Sequence, residues 1–186
     1  MLFFYDFSQN QWHTLPVSKI CLQETPLNPR MVSGYGGLIL FTASKKDNNG
    51  QPLQERELLI VNPLTRQTRR LPDPPVSLSS DNPYNECIEM VSDKSSLSYK
   101  VIILSFEALN TVFIYHGSLQ YWLTIEILEI LPSDQIGPAS IISSRGVVYS
   151  SILCWLILVN LDASFLIFYD IAHDCLIRET LHFFDS

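Results

Sequence analysis

The chain has 186 residues, 47% apolar and 17% charged, with a formal charge of −7 at pH 7 and a pI near 4.9. That apolar content is enough to bury a core and excludes a disordered chain. The negative charge repels phosphate backbones, and the basic pairs Lys45-Lys46 and Arg69-Arg70 stand apart instead of forming a stripe, so no nucleic-acid partner is expected.

The first segment, MLFFYDFSQNQW, is apolar but lacks the positive n-region and small-residue cleavage site of a signal peptide, and no N-glycosylation sequon occurs in the chain. Cys21, Cys87, Cys154 and Cys175 are 66, 67 and 21 residues apart, too far for the tight pairs of zinc sites or the dense frameworks of small secreted proteins. They read as reduced packing residues of an intracellular protein, in the cytoplasm or the nucleus.

From Met31 onward, short β-rich runs alternate with turn residues. A short strand is followed by Gly37 to Ala43, a polar excursion, Glu57 to Asn62, a tight turn, and Gln67 to Leu71. The next four runs are Cys87 to Ser92, Tyr99 to Phe106, Thr111 to Tyr115 and Gln120 to Ile125, rich in Val, Ile, Tyr, Phe and Trp. The last four are Ala139 to Ser143, Gly146 to Val159, Phe165 to Ile171 and Leu176 to Leu181. LTIEILEIL, Leu123 to Leu131, is too short and too irregular to count as helix, and no other segment carries a sustained helical stripe. The expectation is an all-β protein.

Gly146 to Tyr169 has Asp162 as its only charge and is long enough to span a bilayer. Against a span, Asn160-Leu161-Asp162-Ala163 is a turn-forming interruption, and no basic flank sets a topology. A carboxylate near the bilayer centre also costs about 2.5 to 3.5 kcal/mol. The segment reads as two buried strands, and no membrane partner is expected.

One pattern recurs. The pairs Tyr5-Asp6, Val61-Asn62, Tyr115-His116 and Tyr169-Asp170 follow one another at steps of 56, 54 and 54 residues. Seven residues beyond each first member stand Trp12, Thr68, Trp122 and Leu176, and the first two units close with Leu15-Pro16 and Leu71-Pro72. A second mark keeps the same phase: Met31-Val32-Ser33-Gly34, Met90-Val91-Ser92-Asp93 and Ile141-Ile142-Ser143-Ser144, each followed by a β-rich run. Four-stranded units at about this period predict a kelch-type β-propeller, in which the pair ends the third strand and the Trp or its substitute begins the fourth. The chain is expected to be one incomplete propeller domain over 1–186 of about three and a half blades: an outer hairpin in 1–28 and blades in 29–84, 85–137 and 138–186. Closed propellers have about four to eight blades, so the ring is expected to stay open.

LLIVNPLTRQTRRLPDPP (Leu58 to Pro75), MVSDKSSLSYKVIILS (Met90 to Ser105) and IISSRGVVYSS (Ile141 to Ser151) resemble the galactose oxidase-like propeller of plant F-box proteins with kelch-type repeats. The resemblance covers most of the chain. It implies the substrate-recognition part of an SCF-type ubiquitin ligase subunit, whose protein partner is the molecule to be ubiquitinated. In that family an F-box of about three helices docks a Skp-type adaptor. The F-box is not found here, so an adaptor is expected to bind only if one is restored upstream. ILCWLILVNLDA, Ile152 to Ala163, is more apolar than a family blade at this place. The alternative is a stand-alone propeller scaffold or truncated gene product with no ligase role.

No catalytic residue, cofactor or metal site is expected. His13, His116, His173 and His182 fall at different phases of the repeat, with no His-x-x-x-His or Cys-x-x-Cys among them, and His116 and His173 read as solvated turn residues. Gly34, Gly36 and Gly37 lack the following helix and Lys-Ser/Thr of a phosphate loop and read as a strand-edge cluster. An enzyme of the galactose oxidase type shares the fold but finds no metal constellation in these residues. Binding is expected on two long polar connections at one end of the blades, Ser44 to Glu57 and Pro72 to Glu86. Lys45, Lys46, Asp47, Glu55 and Arg56 lie on the first and Tyr84 on the second.

Overall fold

The β-rich runs form strands throughout the computed structural model, which describes residues 2–6, 10–15, 27–78, 86–93, 98–105, 111–126, 142–143, 146–149, 151–158 and 164–181. In chain order these are β1 (Leu2–Asp6), β2 (Gln11–Leu15), β3 (Leu27–Tyr35), β4 (Leu38–Lys46), β5 (Pro52–Asn62), β6 (Gln67–Arg70), β7 (Glu86–Asp93) and β8 (Ser98–Ser105). They continue with β9 (Thr111–His116), β10 (Tyr121–Glu126), β11 (Ile142–Ser143), β12 (Val147–Tyr149), β13 (Ile152–Leu158), β14 (Ser164–Asp170) and β15 (Cys175–Leu181). Among the described residues there is no helix, and the protein is all-β.

The strands group into antiparallel sheets in sequence order. β1-β2 form a two-stranded sheet, β3-β4-β5-β6 and β7-β8-β9-β10 are four-stranded, and β11-β13-β14-β15 takes β12 as a fifth member beside β13. This is compatible with a partial propeller of three meanders and one outer hairpin, and among the described residues no sheet closes on itself. The chain divides into two compact units, Met1–Asp73 and Pro74–Ser186.

Two sequence expectations need correction. Gly146 to Val159 is not one strand: the chain reverses between Tyr149 and Ile152, and β12 folds back on β13 with Val147 opposite Cys154. The apolar residues on both sides of Ser150-Ser151 hid that turn. Ser44 to Glu57 is not a long loop either, because β4 runs to Lys46 and β5 starts at Pro52, with Lys46 opposite Pro52. Only Asp47 to Gln51 turns. The Asp47 carboxylate accepts the N–H groups of Asn49 (2.9 Å) and Gln51 (2.7 Å), and Gly50 takes the left-handed conformation at φ 78°. Gly146 to Tyr169, weighed above against a membrane span, builds β12, β13 and most of β14, and no helix of the described residues is long and apolar enough to cross a membrane.

The repeated pair has a structural meaning. In each sheet its first member faces the residue seven positions on: Tyr5 faces Trp12, Val61 Thr68, Tyr115 Trp122 and Tyr169 Leu176. The residue just before the returning strand has positive φ in each: Asn10 (54°), Arg66 (59°), Gln120 (60°) and Asp174 (50°). In two of the loops the second member of the pair caps the turn. Asn62 Oδ1 accepts from the Leu64 and Thr65 N–H groups at 3.0 and 3.1 Å, and Asp170 Oδ1 accepts from those of Ala172 and His173 at 2.9 and 3.2 Å. His116 stands at that position in the third sequence repeat, and there the Gln120 N–H bonds the His116 carbonyl at 2.7 Å. The period in the sequence is therefore the period of one cross-strand register and one positive-φ position.

In the second unit, alternation places one face of each sheet in a shared core. Cys87, Val91, Ile102, Leu104, Val112 and Ile114 from β7 to β9 meet Leu153, Trp155, Ile167 and Tyr169 from β13 and β14, together with Ile171. Full burial of each large apolar side chain stabilises by about 1.5 to 3 kcal/mol. In the first unit, Ile39, Phe41, Ala43, Leu59 and Val61 cluster on one face of β4 and β5. The Trp of the third sequence repeat, Trp122, is half-buried, and its ring lies 5.3 Å from that of Tyr115.

Candidate functional site

At one end of the first four-stranded sheet, β4 and β5 run on past the core as a ribbon, exposed from Pro52 to Glu55. The polar sequence here still forms strand because each side completes the other's ladder; Ala43 faces Glu57, Ser44 faces Arg56, and the register slips once before Lys46. Lys45 Nζ donates to Glu55 at 2.9 Å and to Asp73 at 3.1 Å. Asp73 begins the connection that leaves β6, so this pair ties the start of that connection to the base of the ribbon. The Glu55 carboxylate, with Asp73 beside it, holds the Lys45 ammonium above its ordinary 10.5, against a smaller opposing effect of burial. Arg70 on β6 pairs with Glu57 on β5.

Five of the expected binding residues thus come together: Lys45 and Lys46 on β4, Asp47 in the turn, Glu55 and Arg56 on β5. Tyr84 lies outside the described residues. The surface offers charge of both signs, with Leu53 exposed among it. Such a ribbon can make main-chain and charged contacts to a partner. It carries no nucleophile-base pair. Among the described residues, no group of three or more His, Cys, Asp and Glu side chains is placed to hold a metal ion.

A second polar group was not foreseen. Lys100, on β8, has only 4% of its side chain exposed, yet its ammonium donates to the Ile171 carbonyl at 2.6 Å and to Asp174 Oδ1 at 2.7 Å. Tyr169 Oη also donates to Asp174 Oδ1, and His116 Nε2 lies 3.9 Å from the other carboxylate oxygen. The fold assembles these groups by register: Lys100 faces His116 across β8 and β9, both on the face that meets the last sheet, and Asp174 is the positive-φ residue of the β14–β15 hairpin. The expectation of a solvated His116 is corrected. Its residue is buried, 8% exposed, with the ring stacked on Tyr121 at 5.8 Å between centroids. His173 is solvated, 77% exposed, and its Nδ1 sits 2.8 Å from Asp170 Oδ2. That bond, helped by the two backbone N–H groups, holds the Asp170 carboxyl below its ordinary 3.8.

The cluster is a lock between two sheets. A buried ammonium left unpaired is costly, so Lys100 requires the β14–β15 hairpin to stay where it is. A further polar link joins the same sheets where the Gly146 N–H donates to Glu89 Oε1 at 2.9 Å. The sequence signal for the lock was a lone Lys inside the apolar run YKVIILS, with its partner 74 residues away. Cys87, Cys154 and Cys175 are free thiols, and burial pushes that of Cys154 above its ordinary 9.0. Comparison with protein families and with curated proteins finds no match to the chain.

Proposed function

We propose that the chain is a protein-binding propeller module, the substrate-recognition part of an F-box subunit of an SCF-type ubiquitin ligase acting in the cytoplasm or nucleus, and that it catalyses no reaction itself. One observation carries this reading. Four hairpins share one cross-strand register and a positive-φ residue before the returning strand at the steps of the sequence repeat, which supports a module built from blades, as the resemblance to kelch-type F-box proteins implies. The β4–β5 ribbon is its recognition surface: a protruding element on a rigid sheet, where binding residues concentrate. A Skp-type adaptor would engage an F-box joined upstream and not this chain.

The test is reconstitution. Fused behind an F-box and combined with adaptor, cullin and RING subunits, the chain is expected to direct ubiquitin onto proteins that the F-box alone leaves unmodified. Reversing the ribbon charges with Lys46→Glu and Arg56→Glu should diminish that set. The same modified proteins with and without the chain would overturn the ligase reading, and a set indifferent to the reversals would remove the ribbon from it.

A further inference from the structure

Asn49-Gly50 is the sole Asn-Gly pair of the sequence, and both residues are exposed at the tip of the β4–β5 ribbon. The order of the two matters chemically. The backbone nitrogen that follows an asparagine can attack that asparagine's own side-chain carbonyl carbon and close a five-membered ring, and a Cβ on the following residue obstructs the approach. Gly50 has no Cβ, and nothing beyond its chain neighbours lies within 4 Å of where one would stand. Asn48 provides a contrast. It is exposed in the same turn, but the residue after it is Asn49, which does carry a Cβ.

The turn itself opposes the attack. The Gly50 N–H donates to the Asp47 carbonyl at 3.0 Å, and the Asp47 carboxylate accepts the N–H groups on either side, from Asn49 at 2.9 Å and Gln51 at 2.7 Å. The attacking nitrogen must give up its proton and swing toward the Asn49 side chain. Asp47, which holds the backbone on both sides of that nitrogen, therefore acts as a brake.

We propose that Asn49 is a site of spontaneous deamidation whose rate is set by the Asp47 cap. The Gly50 nitrogen bonds to Asn49 Cγ, and its proton passes through water to the departing amide nitrogen, which leaves as ammonia. The product is a succinimide. Water then adds to one ring carbonyl and breaks its bond to the Gly50 nitrogen: at Cγ this leaves aspartate, at the backbone carbon isoaspartate. Either product sets a new carboxylate in the turn that already holds Asp47. Isoaspartate also lengthens the backbone by one carbon before Gly50, which shifts the Gly50 and Gln51 N–H groups away from their Asp47 acceptors. This chemistry is independent of the recognition role proposed above, and it places negative charge on the surface which that role uses.

Incubation of the full chain at mildly alkaline pH, followed by peptide mass spectrometry of the 44–57 segment, tests it. The expected result is conversion of Asn49 to both acid products while Asn48 stays an amide. Asp47→Ala should convert about two- to tenfold faster, the worth of one capping hydrogen bond. The wild type unfolded in urea should convert fastest, and Asn49→Gln should abolish the reaction, because the larger ring closes far more slowly. An intact Asn49 in the folded chain after the unfolded chain has converted fully would overturn the proposal, and so would equal conversion of Asn48. Equal rates in the folded and unfolded wild type would overturn the brake. That last comparison needs no substitution, so misfolding of Asp47→Ala leaves the test intact.

Discussion

Lys45 and Lys100 both lie on the second strand of a four-stranded sheet, and each donates to two oxygen partners, yet they do different work. Lys45 sits at the β4–β5 end with Glu55 and Asp73 largely in water, 58% and 66% exposed. Lys100 sits at the opposite end, beside the β9–β10 hairpin, sealed under the β14–β15 hairpin. The Coulomb attraction of an ion pair is screened in the first setting. In the second, what matters is the desolvation left behind if a partner is lost. One end of the blade is thus open to exchange partners, and the other holds two sheets in one arrangement.

The sharpest way to break the comparison is to remove both ammonium groups in turn. Lys100→Met strips the lock of its cation and leaves Asp174 to Tyr169; breaking a buried pair costs about 3 kcal/mol or somewhat less here, since Asp174 is 31% exposed. Urea denaturation should show that loss. A double-mutant cycle with Asp174→Asn should show strong coupling, because Asn keeps the left-handed turn while losing the charge. Gly146→Ala tests the same sheet pair by volume. An added Cβ would lie 2.7 Å from Leu153 Cδ1, 2.8 Å from Trp155 Nε1 and 2.9 Å from Glu89 Cγ, so overpacking of about 1 to 3 kcal/mol is expected.

At the open end the effects are smaller. Lys45→Ala should cost no more than about 1 kcal/mol, as exposed pairs do, with the loss shrinking further in high salt. Because the folded ammonium is held above 10.5, its contribution is complete below that pH and fades as pH rises through the folded value. Stability measured from pH 9 to 12 should fall more in the wild type than in Lys45→Ala. Asp170 runs the other way. Its folded carboxyl is lowered, so its contribution is present above 3.8 and is lost as the pH falls through the folded value. The stability difference between wild type and Asp170→Asn should therefore narrow on acidification below pH 4.

Much of the frame was legible because it is local. Alternation and β-branched residues marked the strands, and the pair with its partner seven residues on marked each hairpin. The ribbon was misread because Asn48, Asn49, Gly50 and Pro52 signal a loop, although only Asp47 to Gln51 turns and the flanking polar residues keep their ladder. Lys100 and His116 were beyond reach for a different reason. The lone Lys in YKVIILS is the one local sign, and it names no partner, because the oxygens that satisfy Lys100 belong to another sheet. The split of β12 from β13 falls between the two: a local turn, masked by apolar residues on both sides.

Chain separation also sets an order in time. Asp170 faces Cys175 across a hairpin of a few residues, while Lys100 must find Asp174 across 74. Closing the longer loop costs about 2 kcal/mol more in chain entropy, and isolated hairpins close within about 1 to 10 μs. The four turns should form early and independently, and the lock should close last. A contact made after the folding barrier leaves the folding rate alone and governs the unfolding rate. In stopped-flow measurements Lys100→Met should refold at the wild-type rate and unfold roughly a hundredfold faster, the kinetic equivalent of about 3 kcal/mol. The pairing of the last two sheets would then be guarded by how slowly it comes apart.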